Sequence, residues 1–128
     1  MLYSKKTLLI VDDEPAIRLI LEHYFASDYE VVLTANGEEA LNWLRSGNNT
    51  DAIVADYEMP LLNGLDFIRA LRAWPAYESV PLLMLSGADE TSKKIQCLRA
   101  GADDYLVKPF NPEELEIRLQ KVLSRVSV

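Results

Sequence analysis

Short apolar runs alternate with helical patterns along the whole sequence. Runs that are apolar at nearly every position cover residues 8–11, 31–33, 52–55, 82–85 and 105–107. Runs of this length without polar alternation are typical of strands that are buried on both faces of a sheet. The segments between them carry apolar residues three and four positions apart, which predicts amphipathic helices.

Polar residues mark where several of these helices begin. Asn36 and Asn111 each precede a helical pattern that has a glutamate three residues further on, which predicts a capping box. In the fourth helix we expect Asp89 to be the N-cap and Ile95 and Leu98 to face the core.

A helix after every strand predicts a parallel sheet with helices on both sides, since right-handed crossovers join parallel strands in this way. The chain has 128 residues, an ordinary size for one domain, and it contains no linker or internal repeat. We therefore expect one α/β domain over residues 1–128, with its core at about 6–125 and no second domain.

Chemically active residue types are concentrated where the predicted strands end. Acidic residues follow the first and third strands, a serine follows the fourth and a lysine follows the fifth: Asp12, Asp13, Glu14, Asp56, Ser86 and Lys108. In an open parallel sheet these strand ends lie along one edge, where ligands bind. A carboxylate-rich turn after the first strand would repel a phosphate group, so it argues against a flavin or nucleotide site.

Converging carboxylates need a cation to offset their mutual repulsion, and oxygen ligands favour Mg²⁺ or a similar hard ion. One of the carboxylates could then act as a nucleophile toward a phosphoryl donor. Lys108 and the metal ion would neutralise the charge that develops on the phosphoryl group, and the hydroxyl of Ser86 could bond one of its oxygens.

The overall charge narrows the range of partners. With 20 acidic and 13 basic residues the formal net charge is −7, which disfavours direct binding of this chain to nucleic acid or to an anionic membrane. The single cysteine, Cys97, excludes a disulfide framework. No apolar run approaches a membrane span and the N-terminus lacks a signal-peptide profile, so we expect a cytoplasmic protein.

Four motifs occur in order at the predicted strand ends. They are Asp12-Asp13, Asp56 with Met59-Pro60 and Gly64, Ser86-Gly87-Ala88, and the segment DYLVKPF at 104–110. Together they resemble the receiver domain of two-component response regulators, and the resemblance covers nearly the whole chain. It implies a flavodoxin-like fold, a doubly wound five-stranded parallel sheet of order 2-1-3-4-5 flanked by five helices.

The resemblance also implies the chemistry. Asp56 would accept a phosphoryl group from the phosphohistidine of a sensor histidine kinase or a histidine phosphotransfer protein. A Mg²⁺ ion, which Mn²⁺ could replace, would be held by Asp13 and Asp56 directly, by Asp12 through water and by the main-chain carbonyl of Glu58. Lys108 would pair with the acceptor carboxylate and then with a phosphoryl oxygen. The protein would catalyse its own phosphorylation and dephosphorylation only, and would not be an enzyme on other substrates.

Phosphorylation is expected to move Ser86 toward the phosphoryl group and to swing Tyr105 inward behind it. The fourth helix, fifth strand and fifth helix would change shape and control an output domain or a partner. Four charged residues resemble the dimer face of receivers that precede DNA-binding domains, although an ordinary solvated surface explains them equally well: Lys94, Asp104, Glu114 and Arg118.

Details of the motifs add two further expectations. The bond between Lys108 and Pro109 is expected to be cis. Glu58 and Ala88 occupy variable positions, two residues after the acceptor and two after the hydroxyl residue, which in the family tune the lifetime of the phosphoryl group.

Two alternative functions remain open at this point. A Mg²⁺-dependent phosphohydrolase could use Asp12 as its nucleophile, but such enzymes need a second aspartate two positions later, where this chain has Glu14. A receiver-like interaction module would keep the fold without being phosphorylated, but the complete acidic set argues against it. Taken singly, these residues are more often caps, turn residues or surface charges, and only their joint occurrence favours a site.

Overall fold

Strands and helices alternate along the chain in the structure, a computed structural model that describes residues 5–87 and 91–126. The strands are β1 (Lys6–Val11), β2 (Tyr29–Thr34), β3 (Ala52–Asp56), β4 (Leu82–Ser86) and β5 (Asp104–Val107). The helices are α1 (Pro15–Phe25), α2 (Gly37–Arg45), α3 (Gly64–Arg72), α4 (Thr91–Ala100) and α5 (Pro112–Val126), with a short 3₁₀ turn at Pro75–Tyr77. The predicted cap Asp89 and the variable residue Ala88 lie outside the described residues.

The five strands form one parallel sheet in the order β2-β1-β3-β4-β5, which confirms the predicted topology. The order reverses between β1 and β3, where successive connections leave toward opposite faces. The register pairs Val11 with Ala55, so Asp12 and Asp56 end neighbouring strands at the same level. The topology therefore places these two carboxylates side by side at the switch point.

The sheet is buried on both faces, as its uniformly apolar strands predicted. One core contains Leu9 and Val11 from β1 and packs beneath α2, α3 and α4. The other core contains Leu8 and Ile10 from the same strand and packs beneath α1 and α5. Alternate residues of each strand thus serve opposite faces, and the polar ends of the strands are left for the site.

The predicted orientation of the fourth helix is wrong. Ile95 and Leu98 are 43% and 39% exposed, whereas Cys97 is completely buried. A spacing of three fits the pair 95 and 98, but it fits Cys97 and Ala100 equally well, and these two residues belong to the core or pack against it, so periodicity alone does not fix the inward face. The small side chain of Cys97 belongs to the core between α4 and the sheet, and the two larger apolar side chains remain near solvent.

Side-chain caps fix helix starts near the functional edge of the sheet. The Oδ1 of Asn36 accepts a hydrogen bond from the backbone N–H of Glu39 at 2.8 Å, and the Oδ1 of Asn111 accepts one from that of Glu113 at 2.8 Å. Both asparagines are therefore N-caps that satisfy orphan N–H groups. The predicted capping boxes differ in detail, because Asn111 caps Glu113 and not Glu114, and Glu39 accepts from the N–H of Ala35 at 3.1 Å and not from that of Asn36. Among the described residues, no helix combines the length and the apolar character that crossing a bilayer requires.

Near the N-terminal ends of β4 and β5, away from the acidic residues, Arg72 joins α3 to the end of α4. Its guanidinium donates to the carbonyl of Gly101 at 2.8 and 3.1 Å and to the carbonyl of Tyr77 at 2.8 Å, and it lies 3.4 Å from Asp103. Asp103 in turn accepts a hydrogen bond from the N–H of Leu82 at 2.8 Å. Through the mostly buried side chain of Arg72, this network ties the C-terminal end of α4 to its neighbours.

Candidate functional site

The strand ends form an acidic cleft at the switch point. Asp12 and Asp56 are each only 1% exposed, whereas Asp13 and Glu14 reach solvent. One carboxylate oxygen from each of these four residues lies within 4.8 Å of the others. The structure therefore brings together three of the predicted metal ligands and adds Glu14, which the sequence placed beside them without a specific role.

Lys108 enters this cleft from the end of β5. Its Nζ lies 3.2 Å from Asp12, 3.2 Å from Asp56 and 3.0 Å from Glu14. The peptide bond that follows, to Pro109, is cis as predicted. One ammonium group thus faces three carboxylates and offsets part of their charge.

Burial and the mutual repulsion of the carboxylates shift the pKa values of the groups in the cleft. Burial, followed by the repulsion of Asp12, raises the pKa of Asp56 from its ordinary 3.8 to about 7, although Lys108 pulls it downward and Glu58 adds a smaller upward contribution. Burial also raises the pKa of Asp12. Burial lowers the pKa of Lys108, but its hydrogen bond to Glu14 and the charges of Asp56 and Asp12 outweigh that effect, and the net shift is upward.

One atom of the cluster carries the clearest signal for a cation. The Oδ1 of Asp56 is buried and pairs electrostatically with Lys108, but it makes no hydrogen bond of good geometry to any described residue. A buried carboxylate oxygen without a hydrogen bond is costly unless a ligand satisfies it. Because the converging candidate ligand atoms are all carboxylate oxygens, the residues fit a hard divalent ion such as Mg²⁺.

The Ser86 hydroxyl is completely buried at the end of β4, next to Asp56 in the sheet. It donates a hydrogen bond of 3.1 Å to the Oε2 of Glu58, whose Oε1 accepts another of 3.1 Å from the N–H of Gly87. The resemblance implied a metal-binding role for the main-chain carbonyl of Glu58 and a variable, lifetime-tuning position for the residue, but no contact of its carboxylate. Its carboxylate contact spans 28 residues and depends on β3 lying beside β4, so no local pattern could have indicated it.

Tyr105 lies behind Ser86, on β5. Its side chain is buried and therefore already inside the protein in this state. Burial raises the pKa of its phenol, although a side-chain hydrogen bond with Ser86 acts in the opposite direction. Both residues of the predicted switch are thus in contact.

Three of the four residues of the predicted dimer face meet within the chain. The Arg118 guanidinium lies 3.0 Å from Asp104 and 3.0 Å from Glu114. The hydrogen bond to Asp104, followed by that to Glu114, raises the pKa of Arg118 above its ordinary value. Burial acts in the opposite direction but is outweighed. Lys94 is exposed on α4.

Gly64, the first residue of α3, packs tightly against the loop that carries the site. A methyl group at this position would lie 2.7 Å from the Cα of Tyr57 and 2.9 Å from the Sδ of Met84. Its N–H donates to the carbonyl of Tyr57 at 2.8 Å. The absence of a side chain therefore lets α3 begin directly beneath the segment that follows Asp56.

Comparisons with known proteins agree with this geometry. Residues 8–120 match the family model of the response regulator receiver domain. A probable transcriptional regulator, ycf27 of Porphyridium aerugineum, is 42% identical over 96% of this chain and 50% of its own length. The chain spans about half the length of the curated relatives it matches.

Solved structures share the fold closely. A response regulator from Chloroflexus aurantiacus, described as putative, has a TM-score of 0.88 and 38% identity, covering 94% of this chain and 99% of its own. The receiver domain of a Pseudomonas aeruginosa sensor histidine kinase, solved with a magnesium ion in its active-site cleft, has a TM-score of 0.85 and 32% identity, covering 94% and 99%. The chain therefore belongs to the family of response regulator receiver domains.

Proposed function

We propose that Asp56 is the phosphoacceptor of this receiver domain. The observation that carries the proposal is a buried carboxylate whose Oδ1 lacks a hydrogen bond and lies 3.2 Å from the Nζ of Lys108. A carboxylate oxygen of Asp56 attacks the phosphorus of a phosphohistidine. The new P–O bond forms as the P–N bond breaks, and the departing imidazole nitrogen keeps the bonding electron pair and takes up a proton.

The charge of the cleft supports a role for Mg²⁺, with Mn²⁺ as a substitute. Asp12, Asp13 and Asp56 would hold the ion, together with the main-chain carbonyl of Glu58. A bound divalent ion neutralises negative charge on the carboxylates and on the transferring group. The relative from Pseudomonas aeruginosa, in which a magnesium ion occupies the cleft, supports the same assignment.

Two further side chains act on the transferred group. Lys108 already faces Asp56, so its ammonium can follow the negative charge onto a phosphoryl oxygen. Ser86 ends the neighbouring strand, and its hydroxyl can donate a hydrogen bond to another oxygen. Movement of Ser86, with Tyr105 already buried behind it, then alters the surface made by α4, β5 and α5. There Arg118, Asp104 and Glu114 would exchange their contacts to form a homodimer.

The phosphodonor is a sensor histidine kinase or a histidine phosphotransfer protein. An apolar groove beside Lys108, lined by Ile17, Ile20, Pro109 and Phe110, supports docking of such a protein next to the acceptor. The domain acts in the cytoplasm on an output domain or partner, and with its net negative charge it makes no direct contact with nucleic acid. It turns over no substrate other than its own phosphoryl group.

The test is intact mass spectrometry after incubation with Mg²⁺ and acetyl phosphate. The wild-type protein should gain the mass of one phosphoryl group, and Asp56→Asn should gain none. If acetyl phosphate gives no adduct, a histidine kinase or phosphotransfer donor replaces it. No adduct with any of these donors would refute the proposal and favour an unphosphorylated interaction module, and phosphomonoester hydrolysis lost in Asp12→Asn but kept in Asp56→Asn would favour the phosphohydrolase.

A further inference from the structure

The carboxylate of Glu58 joins three parts of the molecule outside the acidic cleft. It accepts hydrogen bonds from the hydroxyl of Ser86 and from the N–H of Gly87, each at 3.1 Å. It also lies 3.7 Å from the Nζ of Lys93 in the first turn of α4, and that ammonium is 4.4 Å from the centroid of the Tyr57 ring. Glu58 therefore links the loop after β3 to the end of β4 and to the start of α4.

We propose that Glu58 is a positioning residue that holds Ser86 and the start of α4 in the unphosphorylated arrangement, and that phosphorylation of Asp56 releases both. The inference rests on the proposed function, because the phosphoryl group is the trigger. A serine hydroxyl has one hydrogen to donate. Ser86 gives that hydrogen to Glu58 in this structure, so a phosphoryl oxygen can receive it only if Glu58 loses it.

Electrostatics favour the same exchange. Glu58 follows Asp56 by two residues, and its charge already contributes to the upward shift of the pKa of Asp56, after burial and after the charge of Asp12. A phosphoryl group carries about −1.5 to −2 by analogy with other protein phosphates, and because it replaces the single carboxylate charge it makes this position more negative by up to about one charge. Glu58 is therefore repelled at the moment when it loses Ser86.

The release reaches beyond the hydroxyl. Gly87 and Lys93 use the same carboxylate as Ser86, so departure of Glu58 removes a contact from each of them together. The first turn of α4 then loses its ion pair with the loop after β3 and keeps the contact of Lys93 with the ring of Tyr57. Through the side chain of Glu58, phosphorylation of Asp56 at the end of β3 thus loosens the N-terminal end of α4, which forms part of the output surface.

The experiment measures this competition with beryllofluoride, an anion that stands in for the phosphoryl group on an aspartate, in the presence of Mg²⁺. Glu58→Ala should reach half-saturation at an about tenfold lower concentration than the wild type, the equilibrium equivalent of one hydrogen bond to a charged acceptor. Glu58→Gln keeps an acceptor without the charge and should fall between the two. Glu38→Ala, which removes an exposed acid at the start of α2, is the control and should match the wild type.

A second readout needs no anion at all. The amide proton of Gly87, observed by ¹⁵N–¹H NMR in the free protein, should move upfield in Glu58→Ala and stay in place in Glu38→Ala. An unchanged Gly87 signal, or equal half-saturation in wild type and Glu58→Ala, would overturn the inference. If the wild type takes up neither beryllofluoride nor a phosphoryl group, both the proposed function and the inference about Glu58 fail. If the wild type binds them but the Gly87 signal does not move in Glu58→Ala, the inference about Glu58 fails and the proposed function stands.

Discussion

Replacement of Asp56 by asparagine is expected to stabilise the protein in the absence of divalent ions, by an amount that grows with pH. Asparagine has nearly the same shape, but it does not bring a buried negative charge next to Asp12. The pKa of Asp56 lies at about 7 in the folded protein, against 3.8 for an ordinary aspartate. The folded state therefore favours the protonated acid, and stability falls as the pH rises from about 4 through 7.

The size of the effect follows from that rise. At pH 8 both folded and unfolded wild-type chains are ionised at Asp56, and the difference from 3.8 to about 7 corresponds to about 4 kcal/mol of lost stability. At pH 5 only the unfolded chain is largely ionised, and the loss is about 2 kcal/mol. Asp56→Asn escapes both losses, so its advantage over the wild type should roughly double between pH 5 and pH 8.

Urea unfolding in EDTA at the two pH values measures this difference. Asp13→Asn is the matched control, because it removes a carboxylate of the same cluster that is exposed to solvent. We expect it to change stability by less than about 1 kcal/mol. An Asp56→Asn variant that is no more stable than the wild type at pH 8, or whose advantage is the same at both pH values, would refute the argument from a buried, repelled carboxylate.

Three other changes test separate parts of the molecule. Gly64→Ala should lower the free energy of unfolding by about 1–3 kcal/mol, because its methyl group would crowd the Cα of Tyr57 at 2.7 Å; an unchanged urea midpoint would contradict this. Ile20→Asp should slow phosphoryl transfer from a protein donor but leave acetyl phosphate unaffected, and equal slowing with both donors would argue against docking on α1. Arg118→Glu should abolish phosphorylation-dependent dimerisation in analytical ultracentrifugation, and dimers that persist in the variant would reject the proposed interface.

The sequence predicts the fold well because its two main signals are independent of one another. Uniformly apolar strands can only belong to a sheet covered on both faces, and a helix between every pair of strands leaves parallel pairing as the simple solution. The same logic brings Asp12, Asp56 and Lys108 together, since each follows a strand. Their convergence needs only the topology, and the structure places Lys108 at 3.2 Å from both acids.

What the sequence could not predict depends on side-chain packing between distant elements. The inward face of α4 is ambiguous because its few apolar residues fit two different faces, and the fit of Cys97 against the sheet decides between them. The carboxylate contacts of Glu58 cross from one strand end to the next. Arg118 meets Asp104 across 14 residues, a partner that the helical spacing to Glu114 does not reveal.

Because of the hydrogen bonds of Arg72, the two ends of α4 are held with unequal firmness. At its C-terminal end a largely buried guanidinium fixes the carbonyl of Gly101, and the structure around Asp103 is fixed with it. At its N-terminal end the described contacts of Lys93 are weaker: the half-exposed carboxylate of Glu58 at 3.7 Å and the ring of Tyr57 at 4.4 Å. If the contact of Glu58 with Lys93 is released, we expect α4 to tilt about its anchored end at Gly101. A tilt of this kind would move the exposed side chains of Ile95 and Leu98 and change the surface that they form.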